Sequence, residues 1–127
     1  MQLKSKVSDA KINCGDWEQI FVFKMERTEK LLELLKDDPH DSFLQHALAL
    51  EYIKAGDEDK ARKLFERILE RDPSYVGSYY QLAKLFEQMG DKESAVKCYQ
   101  KGMKEAEKAG EVRAFNELKS AYEELVF

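Results

Sequence analysis

Along most of this chain, apolar side chains return every three or four residues with Glu, Lys, Arg and Asp between them. This is the pattern of helices that bury one stripe and solvate the rest. Glu29 to Lys36 carries Leu31, Leu32, Leu34 and Leu35 and leads into Asp38-Pro39, which predicts a helix over about residues 26 to 37. Near the other end, Ala114, Phe115, Leu118, Ala121, Tyr122 and Leu125 form the stripe of a terminal helix. Gly56-Asp57, Asp72-Pro73, Gly90-Asp91 and Gly110 interrupt the pattern between them. Glycine supplies a left-handed stop and proline cannot continue a helix, so each break predicts a helix end. The reading is all-α, with about six helices.

The segments between the breaks repeat. The two Asp-Pro steps, Asp38-Pro39 and Asp72-Pro73, lie 34 residues apart, and a shift by that amount superposes six identities. Leu48 falls on Leu82, Ala49 on Ala83, Gly56 on Gly90, Asp57 on Asp91, Ala61 on Ala95 and Lys63 on Lys97, while Tyr52 pairs with Phe86, Phe65 with Tyr99 and Leu69 with Met103. Each shared residue has a mechanical task. Leu48 and Tyr52, like Leu82 and Phe86, sit one turn apart on a first helix, and the intervening alanine lets a neighbour come close. Asp57 and Asp91 stand where the next helix wants an N-cap. Ala61 before Phe65, and Ala95 before Tyr99, give the second helix a small residue and then an aromatic knob. The unit is a helix hairpin.

These residues resemble the tetratricopeptide repeat, with its 34-residue period, Leu-Gly/Ala-x-x-Tyr first helix, Ala-x-x-x-Phe second helix and closing proline. The resemblance covers residues 42 to 109. It implies antiparallel hairpins stacked as a short right-handed solenoid: a half repeat at 25–41, repeats at 42–75 and 76–109, and a capping helix at 110–127. Gln45 and Tyr79 stand where the family often has Trp, and the second repeat reaches Glu107 without a proline. The missing proline predicts a longer helix, running through Lys108 to Gly110. A terminal helix with a polar outer side covers the face that the last hairpin leaves bare.

Residues 1–24 fall outside this scheme, and three readings stand together for them. They are an extension or disordered segment, with translation beginning at Met25; an added helix with Trp17, Ile20 and Phe21 near one face; or an arm from Trp17 to Phe23 that lies in the groove or pairs with another copy.

In the resembled family, the first helices of successive repeats line a concave surface that holds extended peptides. Carried over position by position, this implies a groove of Phe43, His46, Leu50, Ile53 and Lys54 from one repeat and Tyr80, Lys84, Glu87 and Gln88 from the next. The residues point the same way, because helix 42–55 is apolar on more than one side and its surplus face wants a cover from a partner, the N-terminal arm or the first helix. Some relatives grip a carboxylate with Lys, Asn and Arg at these helices. Here the matching surface offers His46, Leu50, Gln81 and Lys84, so most of those donors are missing. The implied function is a protein or peptide scaffold, with a self-assembling homo-oligomer as the alternative.

Composition narrows the classes further. The chain has 127 residues, 43% apolar, enough for one domain core. Acids exceed bases by 25 to 21 and the signs are interspersed, which describes solvated helix faces and not a nucleic-acid surface. No apolar run is long enough to span a bilayer, so the expected setting is soluble and cytoplasmic, without a membrane partner. Cys14 and Cys98 have no second thiol near them in sequence and read as free thiols. His40 and His46 lack the spacing of a metal site, and carboxylate pairs such as Glu66 with Glu70 lie beside Arg62 and Arg67 as solvated partners. There is no phosphate loop or nucleophile elbow. The expectation is no catalytic residue, no cofactor and no metal.

Overall fold

The computed structural model describes residues 27–127. The readings offered for residues 1–24, and for Cys14, lie outside that range. Six helices follow in order: α1 over residues 27–37, α2 Ser42–Lys54, α3 Glu58–Arg71, α4 Gly77–Gln88, α5 Lys92–Ala109 and α6 Val112–Val126. From α2 onward each helix packs on the next in chain order, so α2/α3 and α4/α5 form two successive hairpins and α6 closes the end.

The helix boundaries follow from local chemistry. Gly56, Gly90 and Gly110 have φ of 83°, 81° and 71°, the left-handed region that other residues resist. Each sits in the same turn: Asp57 N donates to Tyr52 O at 2.8 Å, Asp91 N to Phe86 O at 2.9 Å and Glu111 N to Ala106 O at 2.9 Å. The expected stop at Gly110 is therefore present, and without a proline α5 runs to 18 residues. Asp91 caps α5, its carboxylate accepting from Ser94 N at 3.1 Å and from Ser94 Oγ at 2.8 Å. Asp41 caps α2 by accepting from Leu44 N at 3.0 Å. Asp57 departs from the expectation: it makes no side-chain cap bond, and its carboxylate lies 3.4 Å from Lys60 Nζ. The third residue of the motif explains the difference, since Ser94 adds a hydroxyl donor where the first repeat has Lys60.

Packing uses the small-then-large rule read from the repeat. Ala49, Ala61, Ala83 and Ala95 have no accessible surface, and neither do Phe65 and Tyr99. Leu82 and Leu85 of α4 join Leu48, Leu64, Phe65 and Ile68 in one cluster, while Tyr79 and Ala83 of the same helix join Tyr99, Ala106 and Leu118 in a second. Leu69, Phe86 and Cys98 touch both. α1 adds Leu31 and Leu35 to the first cluster, and Arg27 of α1 lies 3.7 Å from the carboxylate of Glu51, a mostly buried residue of α2.

Helices α4 and α5 come close together at Gly102. A methyl group there would stand 2.7 Å from Tyr79 Cβ and 3.1 Å from Leu118 Cδ1. Tyr79 Cβ is tied to its backbone, so relief requires the helices to part. Gly102→Ala should therefore lower stability by about 1–3 kcal/mol, the usual cost of overpacking, although alanine is the better helix former. Gly77→Ala meets only His46 Cε1, at 3.9 Å, and should be neutral or stabilising by about 1 kcal/mol or less. Urea midpoints of the two variants check the contrast.

Candidate functional site

α2 and α4 occupy equivalent places in the two hairpins, and the proposed groove positions recur on them 34 residues apart: His46 with Tyr80, Leu50 with Lys84, Ile53 with Glu87 and Lys54 with Gln88. The structure brings several of these together. On α4, Tyr80 sets its ring edge-on to Tyr99 at 6.4 Å, Lys84 Nζ stands 5.7 Å from the centre of the Tyr80 ring, and Glu87 lies 3.8 Å from the same ammonium. Tyr99 of α5 donates its hydroxyl to Glu87 Oε2. Burial, and next that bond to a carboxylate, hold the Tyr99 phenol well above its usual range, so it remains a donor. The result is a fixed polar strip with one half-exposed ammonium at its centre.

On α2 the same face is apolar. Phe43 is 69% exposed, a large aromatic left in water. Leu50 and Ile53 are half-buried and rest on the first cluster, and Lys54 is exposed beside Glu51 at 3.4 Å. Gln88 is exposed at the end of α4. His46 has a different position from the open groove side chain expected of it: its ring is half-buried in the seam between hairpins, against Phe65 at 5.4 Å and Tyr75 at 5.5 Å, and Nδ1 shares a 2.9 Å hydrogen bond with Ser78 Oγ. It links the two repeats as well as lining the surface.

Sequence reading did not single out Ser78, which has no accessible surface, or the Tyr99–Glu87 bond. A signal for the second existed. The 34-residue shift pairs Phe65 with Tyr99 and Ile53 with Glu87, so a hydroxyl and a carboxylate enter together where the first repeat has two apolar side chains. Cys98 lies in the seam, where burial pushes its thiol up to about 11, the range of an unreactive protonated group. Among the described residues, no group of three or more His, Cys, Asp or Glu is placed to hold a metal, and no helix is long and apolar enough to cross a membrane.

Comparison with known proteins agrees with this architecture. The family model for the tetratricopeptide repeat matches residues 52–122. A tetratricopeptide repeat domain protein from Salinibacter ruber, solved by NMR, is 37% identical, with a TM-score of 0.68 over 70% of this chain and 90% of that one. A TPR repeat-containing protein of Pseudomonas aeruginosa is 28% identical over 90 residues, 71% of this chain and 86% of the relative. The TPR2B domain of yeast Sti1, solved as a complex with pHsp70, shares the fold at 16% identity, with a TM-score of 0.74 over 87% of this chain and 89% of that domain. The chain belongs to the tetratricopeptide repeat family.

The seam histidine makes a test of the geometry. Burial lowers the His46 pKa below its ordinary value near 6.5, so the unfolded chain binds a proton more readily than the folded one. The stability that this difference protects is complete above about pH 6.5 and falls as pH drops below it, until the folded-state value is passed. Urea midpoints measured from pH 8 downward should decline across that window, and His46→Gln should flatten the decline.

Proposed function

We propose that the chain is a non-catalytic scaffold that holds an extended segment of another protein across the concave faces of α2 and α4. The observation that carries the reading is the exposed ring of Phe43, at 69% exposure, on the same face as Leu50, Ile53 and the Tyr80–Lys84–Glu87 strip. An apolar half and a half with one accessible ammonium suit a ligand that seats an apolar side chain against Phe43 and Leu50 and presents a carboxylate or carbonyl to Lys84. Burial of the apolar part supplies most of the affinity, because an exposed ion pair at Lys84 contributes about 1 kcal/mol or less. The complex of the yeast Sti1 domain with pHsp70 supports protein partners for this fold, though the donors on α2 and α4 here differ from a carboxylate-gripping set.

A second reading, self-assembly, draws on the apolar side chains at both ends. Leu32 and Leu34 on α1 are 42% and 52% exposed, and Val112 and Phe127 at α6 are 70% and 96% exposed. Ends of this kind suit head-to-tail stacking of copies. Sedimentation that finds a monomer at high micromolar concentration removes this reading.

The groove itself is tested with Phe43→Asp combined with Lys84→Glu, two side chains that the core does not need. Peptides selected from a displayed library on the intact protein should bind the double variant at least about tenfold more weakly, as expected when an anchoring contact worth over 1 kcal/mol is lost, with an unchanged melting temperature. Equal binding rejects the concave site.

A further inference from the structure

The second helices of the two repeats carry different charge. On α3, Lys63 lies 3.3 Å from Asp59 and Arg62 lies 3.0 Å from Glu66, so positive side chains of the outer face are met by acids of the same helix. The 34-residue shift puts Gln100 where α3 has Glu66 and Lys104 where it has Glu70, while Lys97 and Lys101 keep the basic character of Lys63 and Arg67. Two carboxylates are therefore missing from α5, and one of them has become a cation. Lys97, Lys101 and Lys104 are exposed, and none of them makes an ion pair among the described residues. Glu105, next to this row, is held instead by Lys108 at 3.4 Å. The row is a local excess of positive charge on a chain whose acids outnumber its bases by 25 to 21.

The three lysines line an open trough on α5 at its junction with α6. At 1.5 Å per residue they are spread over about 10 Å of helix. Gln100 and Met103 lie beside them in the trough, and Phe115 of α6 lines it from the other helix. Gln100 Nε2 donates to Tyr122 Oη at 3.3 Å, a polar link between the two helices. Met103, Phe115 and Tyr122 rest on the second cluster and are only half-buried, so an apolar strip runs next to the lysine row. Glu105 and Glu107 line the trough toward the C-terminal end of α5, which confines the positive charge to the stretch from Lys97 to Lys104. None of these residues belongs to the groove proposed on α2 and α4.

We propose that this trough docks an acidic segment of a partner protein, bound in extended form with carboxylates alternating with apolar side chains. Successive side chains of an extended chain point to opposite sides and recur on one side about every 6.7 Å. Two or three carboxylates therefore match the lysine row, while the side chains between them meet Met103 and Phe115. Burial of those side chains holds the segment, and the exposed ion pairs select its sign. A uniform polyanion such as nucleic acid suits the trough less well, because its charge would continue past Lys104 onto Glu105 and Glu107.

The test titrates the full chain at neutral pH with the peptide Ac-Glu-Leu-Glu-Leu-Glu-NH2 and follows backbone amides by NMR. Shifts are expected at Gln100, Lys101, Met103 and Phe115, with little change at Phe43 or Lys84, so the outcome is independent of the concave groove. The variant combining Lys97→Gln, Lys101→Gln and Lys104→Gln should bind at least about tenfold more weakly with an unchanged melting temperature, as expected when three exposed ion pairs are lost together. Ac-Gln-Leu-Gln-Leu-Gln-NH2, which has no charge, and Ac-Glu-Ser-Glu-Ser-Glu-NH2, which has no apolar side chain, should each bind at least about fivefold more weakly than the first peptide. No shifts in α5 and α6, equal affinity for either control peptide, or undiminished binding by the triple variant would overturn the proposal. So would larger shifts at the same amides with an oligothymidylate, which would make the ligand a nucleic acid, or shifts there on concentrating the protein alone, which would make it a second copy of this chain.

Discussion

Neither hairpin of this protein buries all of its own apolar surface, and α4 is the element whose side chains enter both clusters. Leu82 and Leu85 enter the cluster built on Phe65 and Ile68, while Tyr79 and Ala83, on another side of the same helix, enter the cluster built on Tyr99 and Ala106. Alanines without accessible surface at positions 49, 61, 83 and 95 let the backbones come near enough for the aromatic knobs to fill the space between them. Once α4 is committed on two sides, the half-buried Tyr80, Lys84 and Glu87 are among the side chains it leaves toward solvent.

The 34-residue correspondence separates what the fold requires from what it leaves free. The alanines and Leu48 with Leu82, all buried, and the glycines that hold a positive φ in the turns stay the same. Gln45 against Tyr79, Ile53 against Glu87 and Leu50 against Lys84 have diverged. The last two pairs lie at the proposed groove positions, where one hairpin presents apolar side chains and the other a fixed polar strip. Divergence of this kind, on a scaffold whose stacking contacts are held constant, is how a repeat array acquires different surfaces without a different fold.

Much of this was legible in the chain alone, because the information was local. A positive φ at Gly56, Gly90 and Gly110 follows from the glycine and its place after a periodic stretch, and the length of α5 follows from the absence of a proline before Gly110. Residues whose position depends on a neighbouring element were less legible. Asp57 looks like Asp91 in sequence, yet only Asp91 caps its helix, since Ser94 rather than a lysine follows three residues later. His46 sits at a groove position of the repeat but turns into the seam, where Phe65 and Tyr75 flank its ring and Ser78 offers a hydroxyl. Gln45 read only as a departure from a frequent tryptophan; that its oxygen ends without a partner beside an open cleft requires α1 and α3 to be in place.

Native-state hydrogen exchange across a denaturant series measures the shared role of α4 most directly, since it reports whether segments open singly or as a unit. Amides in the middle of α2, α3, α4 and α5 should converge on one opening free energy, because opening the first hairpin bares one side of α4, opening the second takes α4 away from the first cluster, and either event exposes Leu69, Phe86 and Cys98 to water. Exchange in which α2 and α3 open at a clearly lower free energy while α4 and α5 keep full protection would show two independent hairpins, and would contradict the account.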